Sequence, residues 1–395
     1  MEDVFERARG LFSAYDASLR ALIPEAAELF DAHVHVGRDI DGFAAPYDDL
    51  LAFLRRDGAR GAFAFCMDEP DRRPAFRAAN DRTLAAAERS GGMLIPFVRL
   101  DLTEEPLEEA VRCLDRGARG IKLHPRAQRF QLNDERLAPI FALAAERRVP
   151  ILIHGGRGLP PIAANLHGLM EANPEAQLII AHCGIADLAA LSEFFSGHRG
   201  VYFDTSVWSP IDVLDLFSRV PSEQVVYASD FPYGQQPGSL TLTVRTALAA
   251  GLTEPDLVDV LGGTALRIAA GEPPSEPGSP RGRATLEQPI SFARIHHYLA
   301  MAIPLLWTRQ ADTIGVLGLA LNACAERDGY MEARERIAEL VACARDLWRT
   351  AGEAERDEER VELGRATFRL IHLADIIAVT AVIEPVSSPE SAGVG

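Results

Sequence analysis

The sequence predicts a (β/α)8 TIM barrel, of class α/β, followed by an all-helical domain. Between residues 29 and 261, apolar segments typical of strands alternate eight times with segments of helical period. The strand segments are almost continuously apolar, as at residues 151–153 and 178–181, which indicates parallel strands covered on both faces. A doubly wound sheet would carry a glycine-rich phosphate loop after its first strand, where this chain has His-Val-His-Val-Gly.

The predicted elements follow one another in a regular order. A segment of helical period at residues 3–22 ends before Pro24, and we expect it to cover the closed end of the barrel. The eight predicted strands span residues 29–37, 61–68, 93–101, 120–125, 150–156, 177–184, 201–207 and 224–232. The predicted helices span residues 46–56, 78–89, 106–115, 135–146, 162–172, 187–195, 211–218 and 240–250, with a short helix at 255–261.

The composition changes after the barrel. Residues 1–270 form the predicted barrel with its N-terminal helix, and residues 271–289 are rich in proline, glycine and serine, as in a linker. Residues 290–384 form the predicted helical domain, and the small polar residues 385–395 predict a disordered tail. The domain's four predicted helices span residues 291–309, 312–327, 331–350 and 357–382. Since it shows no cluster of histidine, cysteine or paired carboxylates, we expect it to make a homo-oligomer, cap the substrate or contact a partner.

Charge and composition exclude several kinds of partner. Subtracting 57 acidic from 40 basic residues gives a formal charge of −17, which repels nucleic-acid phosphates and anionic lipids. The first residues are neither basic nor apolar, and charged residues interrupt the apolar stretch at 363–383, so no secretory signal or membrane span is expected. The five cysteines are scattered without Cys-x-x-Cys spacing, which favours reduced thiols. The sequence therefore predicts a cytoplasmic protein with a small-molecule substrate.

Polar residues recur at the predicted ends of the strands. His33 and His35 lie two residues apart on strand one, so both side chains face the same way and can bind one ion. Functional side chains of a barrel lie at the carboxyl ends of its strands. That rule gathers five of the ten histidines, a lysine and an aspartate at one mouth: His33, His35, Lys122, His124, His154, His182 and Asp230. Arg99 could hold a substrate carboxylate there, although for Arg99, and likewise for Asp204, a surface or interstrand ion pair is at least as good an explanation.

Lys122 is the only lysine of the chain, the other 39 basic residues being arginine. An amine at this position can lose its proton, whereas a guanidinium group cannot. Lys122 and His124 share one face of strand four, and they face the mouth unless the register turns Ile121 and Leu123 inward. Because an unpaired buried lysine is costly, we expect Lys122 to have a partner in the site.

Five motifs resemble, in order, those of the amidohydrolase superfamily, in the amidohydrolase-related branch that includes metal-dependent decarboxylases. They are Asp-Ala-His-Val-His at residues 31–35, Gly-Ile-Lys-Leu-His-Pro at 120–125, Ile-His-Gly-Gly at 153–156, Ala-His-Cys-Gly at 181–184 and Ser-Asp-Phe-Pro-Tyr-Gly at 229–234. The resemblance spans about residues 29–270 and implies a metal-dependent enzyme built on the barrel.

The resemblance implies that His33, His35, His154 and Asp230 bind one divalent metal ion. Zinc suits this ligand set best, with manganese or iron as alternatives. It also implies catalytic roles for Asp230, which moves a proton, and for His182, which binds a second ion, moves a proton or polarises a carbonyl group. Binuclear members carry a carboxylated lysine at the position of Lys122, so one or two ions are expected. His124 then either joins the site or binds the substrate.

The expected reaction is hydrolysis of an amide, ester or lactone-type bond of a small molecule by metal-activated water. The same residues would also serve non-oxidative decarboxylation or hydration of a small carboxylic acid, and the sequence leaves that alternative open. A third alternative is a catalytically inactive barrel that carries a helical partner-binding module. The intact set of metal ligands argues against it.

Overall fold

A computed structural model of the chain describes residues 2–234, 238–283, 285, 288–310 and 312–383. Eight parallel strands form the sheet and confirm the predicted barrel, while a ninth, two-residue strand pairs antiparallel with the end of the first. The strands are β1 Phe30–Arg38, β2 Ala44–Ala45, β3 Gly61–Cys66, β4 Leu94–Arg99, β5 Gly120–Leu123, β6 Pro150–Ile153, β7 Gln177–Ile180, β8 Val201–Asp204 and β9 Val225–Val226. The predicted tail, residues 385–395, lies outside the described residues.

The sheet closes where β1 meets the segment that follows β9. The carbonyl oxygen of Tyr227 accepts a hydrogen bond from the Ala32 N–H at 2.9 Å, and that of Phe231 accepts one from the His35 N–H at 2.8 Å. Between them, the Asp230 N–H donates to the His33 carbonyl oxygen at 3.0 Å. Closure therefore brings Asp230 beside both histidines of β1.

The barrel helices surround this sheet. They are α2 Tyr47–Arg56, α3 Arg77–Arg89, α4 Pro106–Asp115, α5 Pro125–Gln128, α6 Leu137–Arg147, α7 Ala163–Ala172, α8 Leu188–Phe195, α9 Pro210–Arg219, α10 Gly238–Ala250, α11 Glu254–Val258 and α12 Thr264–Ala270. Outward strand residues such as Ile121 and Leu123 pack against the helices. Inward residues such as Phe30 and Phe63 form a separate core, and Ile268 of α12 packs against it near the start of β1.

Helix α1 (Glu2–Leu22) packs elsewhere than predicted. Its buried Ala8 and partly buried Phe12 belong to the core of the C-terminal helices, so the prediction of a cover over the closed end of the barrel is wrong for most of its length. Only its last turns, through Leu19 and Leu22, reach the barrel core. Helical period identifies the apolar face of a helix but not the partner that this face meets.

Four helices follow the barrel: α13 Ile290–Trp307, α14 Thr313–Cys324, α15 Met331–Glu353 and α16 Asp357–Val379. We call them the helical region. Each begins and ends within three residues of its predicted bounds. Two hydrogen bonds join the region to the barrel. The Nε2–H of His372 donates to the carbonyl oxygen of Trp208 at 2.9 Å, and the barrel residue Arg245 donates to the carbonyl oxygen of Thr380 at 3.1 Å.

The connection between barrel and helical region has no regular structure from Glu272 to Arg283, in line with its composition. It nevertheless lies on the barrel, since the Arg283 N–H donates to the Ala250 carbonyl oxygen at 2.9 Å. All five cysteines are buried free thiols. Among the described residues, no helix has the length and apolarity needed to span a bilayer.

Candidate metal centre

Two histidines and one aspartate converge at the mouth of the barrel. Strand β1 supplies the buried His33 and His35, and the segment after β9 supplies Asp230. Oδ1 of Asp230 lies 3.2 Å from Nε2 of His33 and 3.2 Å from Nε2 of His35. One ligand atom from each residue lies within 4.8 Å of the other two. This spacing fits ligands that share one metal ion.

Asp204 ends β8, is fully buried, and orients two of the histidines. Its Oδ2 lies 2.7 Å from Nδ1 of His33, and its Oδ1 accepts from the His182 N–H at 2.7 Å. A carboxylate at Nδ1 assigns the proton to that nitrogen, which leaves the Nε2 lone pair for an ion. Sequence reasoning gave Asp204 no catalytic role, although its place at a strand end was a signal for one.

Asp31 is a second residue whose role the sequence did not indicate, although it begins the first motif. Its Oδ1 accepts from the N–H of His33 at 3.1 Å and from that of Ser229 at 3.0 Å. The buried carboxylate therefore joins β1 to the segment that carries Asp230. Burial, the largest cause, raises the pKa of Asp31 to about 7.

His182 and Asp230 both have a left-handed backbone, with φ of 58° and 55°. For residues other than glycine this conformation costs about 1 kcal/mol or more, and such strain clusters at functional sites. The turn brings the ring of His182 to 5.2 Å from that of His33, centroid to centroid. Nδ1 of His182 donates to the Ser206 carbonyl oxygen at 2.8 Å, so Nε2 keeps a lone pair that can bind a metal ion or accept a proton.

Lys122 faces the mouth, whereas Ile121 and Leu123 face the surrounding helices. The buried Nζ of Lys122 lies 3.2 Å from Nε2 of His33 and 4.3 Å from the ring centroid of Phe65. Burial lowers the pKa of Lys122 to about 7, although Asp204 and Asp230 oppose that shift. Lys122 therefore has a partner in the site, as predicted. With a pKa of about 7, its amine is partly neutral near pH 7.

His124 and His154 stack beside this group, with ring centroids 3.9 Å apart and planes at 14°. Nε2 of His154 is buried without a hydrogen-bond partner among the described residues, and its ring lies 4.6 Å from that of His182. A Cβ at Gly156 would lie 2.9 Å from Cδ2 of His182 and 3.0 Å from Cε1 of His154, so this approach requires glycine. The structure thus gathers three of the four predicted ligands and leaves His154 adjacent to them.

His124 has a local role as well. It caps the short helix α5, since its Nδ1 accepts from the Ala127 N–H at 3.3 Å. Its own N–H donates to Oε1 of Gln128 at 2.6 Å. With Nδ1 engaged in this way, the other ring nitrogen of His124 carries the proton and can donate to a bound molecule.

Arg99 ends β4, pairs in register with Lys122 on the next strand, and is 2% exposed. Its Nη1 donates to the Cys66 carbonyl oxygen at 3.3 Å, and its guanidinium carbon lies 5.0 Å from the ring centroid of Phe76. Its Nε has no acceptor among the described residues. Among the described residues Arg99 forms no ion pair, so the structure does not support the alternative explanation of an ion pair at this position.

The donor atoms fit a divalent ion. Burial lowers the pKa of His33, His35 and His154 well below the usual histidine value, which keeps these imidazoles neutral and able to bind metal. Buried polar atoms normally have a partner, yet Nδ1 of His35 and Nε2 of His154 have none among the described residues. Neutral imidazoles with one carboxylate suit zinc, manganese and iron alike.

Several solved structures are similar to this chain. A putative amidohydrolase from Staphylococcus aureus matches with a TM-score of 0.50 and 15% identity, over 62% of this chain and 99% of that one. An uncharacterised TIM-barrel protein from Bordetella bronchiseptica matches with a TM-score of 0.49 and 14% identity, over 62% of this chain and 99% of that one. A putative 2-pyrone-4,6-dicarboxylic acid hydrolase from Pseudomonas putida matches with a TM-score of 0.48 and 21% identity, over 62% of this chain and 98% of that one. The likeness to the Staphylococcus aureus structure, at 15% identity, concerns the fold alone.

No curated protein matches the chain significantly. A family model does: residues 30–268, more than half of the chain, match the amidohydrolase family. The four predicted ligands and Lys122 all lie within the matched residues. The chain therefore belongs to the amidohydrolase family.

Proposed function

We propose that this chain is a metal-dependent hydrolase that cleaves an amide, ester or lactone-type bond of a small molecule. The convergence of His33 and His35 on one oxygen of Asp230, 3.2 Å from each, carries the proposal. His154 is the proposed fourth ligand, because its buried Nε2 has no other partner among the described residues. When bound, the divalent ion lowers the pKa of water from about 15.7 toward 7 and polarises the scissile carbonyl.

Asp230 is the proposed proton carrier. Its Oδ1 lies 3.2 Å from Nε2 of both histidines, so it would be within reach of water bound at this group. Burial raises the pKa of Asp230 well above its usual value, although Lys122 opposes the rise. A carboxylate with a raised pKa accepts a proton from water and then returns it to the leaving nitrogen or oxygen.

The remaining residues have supporting roles in the proposal. His182, with its free Nε2 lone pair, either binds a second ion or accepts a proton, and its bond to Ser206 argues against donation to an oxyanion. His124 and Arg99 supply the donors on the opposite side of the mouth, for the substrate's carbonyl or acidic group. Lys122 either donates to the substrate or, when carboxylated, bridges two ions.

Metal analysis tests the proposal before a substrate is known. We expect the purified chain to hold one or two equivalents of a divalent metal, and His33→Ala to lose it. Lys122→Arg should lose one of two equivalents if the lysine bridges ions. After chelation, added zinc, manganese or iron should restore hydrolysis of a panel of nitrophenyl esters, anilides and aryl lactones. A folded chain that neither retains nor rebinds a divalent ion would overturn the proposal.

A second candidate is decarboxylation of a carboxylic acid at the same ion. Arg99 favours it, because a buried guanidinium nitrogen without an acceptor is costly and a substrate carboxylate would satisfy it. Release of carbon dioxide from a panel of aryl and enoic acids, with no hydrolysis of the esters, anilides and lactones, would replace the hydrolase with a lyase.

A further inference from the structure

A cleft of about 1290 Å³ lies between the mouth of the barrel and the helical region. One wall comes from the barrel and includes Phe43, Phe231 and Tyr233. The opposite wall comes from the end of α13, the start of α14, α15 and α16. Pockets for small molecules commonly enclose about 300 to 1000 Å³. The cleft therefore has room for a ligand considerably larger than a single ring.

All three tryptophans of the chain, Trp208, Trp307 and Trp348, line this cleft. The rings of Trp208 and Trp307 lie 6.2 Å apart with planes at 22°, and both contact the buried Phe368, at 5.3 and 5.4 Å. Trp208 is 37% and Trp307 46% exposed. Two exposed indoles held against one buried phenylalanine form a surface on which a flat aromatic group can pack.

The helical wall also carries arginines without acidic partners. Arg309, Arg349 and Arg365 line the cleft, and none forms an ion pair with any residue that the structure describes. Arg360 on the same wall is paired with Asp357 at 2.8 Å. Glu353 is the one acidic residue among those described on this wall, and Asp41 and Asp49 lie on the barrel wall opposite. In a chain of charge −17, unpaired guanidinium groups gathered on one wall are complementary to an anion.

Tyr233 connects the cleft with the candidate metal centre. Its ring lies 5.0 Å from the ring of His35 and 5.2 Å from that of Phe43. Phe231 and Tyr233, which line the cleft, also follow Asp230 directly in the chain. A ligand in the cleft therefore has one end beside the metal ligands and the other against the helical region.

We propose that the cleft binds an extended aromatic anion, with two or more fused or linked rings against the tryptophans and an acidic group on the arginines of the helical region. The helical region is then a specificity element for the part of the substrate remote from the scissile bond. That assignment as substrate rests on the proposed function, whereas binding of the anion does not.

Tryptophan fluorescence reports this binding directly, because every tryptophan of the chain lies in the cleft. The probes are 2-naphthoate, the neutral 2-naphthamide and the single-ring benzoate, titrated into the full chain and repeated by calorimetry. We expect saturable quenching, with naphthoate binding about tenfold more tightly than either analogue. Trp307→Leu should weaken naphthoate binding about fivefold by calorimetry. Equal naphthoate binding by the wild type and this variant would overturn the proposal that the ligand's rings pack against the tryptophans.

The arginines have a matched control. Arg349→Gln with Arg365→Gln should bring the preference for naphthoate over naphthamide to within about twofold, whereas Arg327→Gln, an exposed arginine of the helical region outside the cleft, should leave it unchanged. Metal-free protein should keep the preference. A preference that survives the double variant and disappears without metal would overturn the arginine assignment, since the acid would then bind the ion. Failure of the proposed function alone would show as absent metal with intact naphthoate binding.

Discussion

The two sides of the barrel mouth differ in how their buried polar groups are satisfied. Beside β1 and β8, His33 is hydrogen-bonded to Asp204, and His182 to Ser206. Beside β4 to β6, Arg99, His154 and Gln128 each bury a nitrogen without a partner among the described residues. On the first side, Nδ1 of His35 and Oδ2 of Asp31 also lack a partner among the described residues. Since buried polar atoms normally find partners, we interpret His33 and His182 on the first side as preformed by their hydrogen bonds and the second side as completed by what it binds.

The largest effect should come from removing a ligand on the preformed side. His33→Ala removes an imidazole and leaves Oδ2 of the fully buried Asp204 without its partner, so we expect the metal affinity to fall by more than the roughly 10- to 100-fold that loss of an outer partner causes. His154→Ala, on the other side, should lower the affinity less. Competition with a metal-binding dye measures both, and a greater loss in the His154 variant would contradict the comparison.

Asp204→Asn tests whether the preformed side depends on its carboxylate. An amide keeps the shape but loses the charge that holds the Nδ1 proton of His33, so we expect metal affinity to fall by about 10- to 100-fold, with the fold retained. Ser206→Ala is the matched control, because it removes a hydroxyl group that contacts Asp204 and Nδ1 of His182 but no proposed ligand of the first ion. Equal losses in the two variants would show that packing, rather than the carboxylate, supports His33.

The difference between the sides also marks what the sequence could predict. Strand ends placed seven polar residues at one mouth of the barrel, and the family resemblance selected His33, His35 and Asp230 among them as ligands of one ion. The inward register of Lys122 could not be read from a four-residue strand in which both faces are buried. The cleft could not be predicted from the sequence either, since Trp208 and Trp307 come together only through tertiary packing of the helical region. Three-dimensional contacts, not local pattern, decide such features.

Lys122 lies on β5 of the second side but contacts His33 of the first, and it predicts a pH dependence. Its pKa is about 7 in the folded chain, because burial lowers it from 10.5. Between these values the unfolded chain binds more protons, so stability rises with pH. For metal-free protein, we expect the free energy of unfolding in urea to rise by about 2 kcal/mol from pH 7 to pH 9 through this group. Lys122→Met should lack that part of the rise, and an identical pH profile in the variant would exclude a neutral lysine.

The smallest effect is expected on the unsatisfied side, at Arg99. The Nε of Arg99 has no partner among the described residues and would donate to an acidic group of the substrate. Arg99→Lys keeps the charge but loses the paired N–H donors. We therefore expect KM to rise about tenfold and kcat to change less than about twofold. Steady-state kinetics on a substrate from the hydrolysis panel, with and without an acidic substituent, measures this, because only the acidic substrate should be affected. A fall in kcat with unchanged KM would instead assign Arg99 to the transition state, and the second side would then be as preformed as the first.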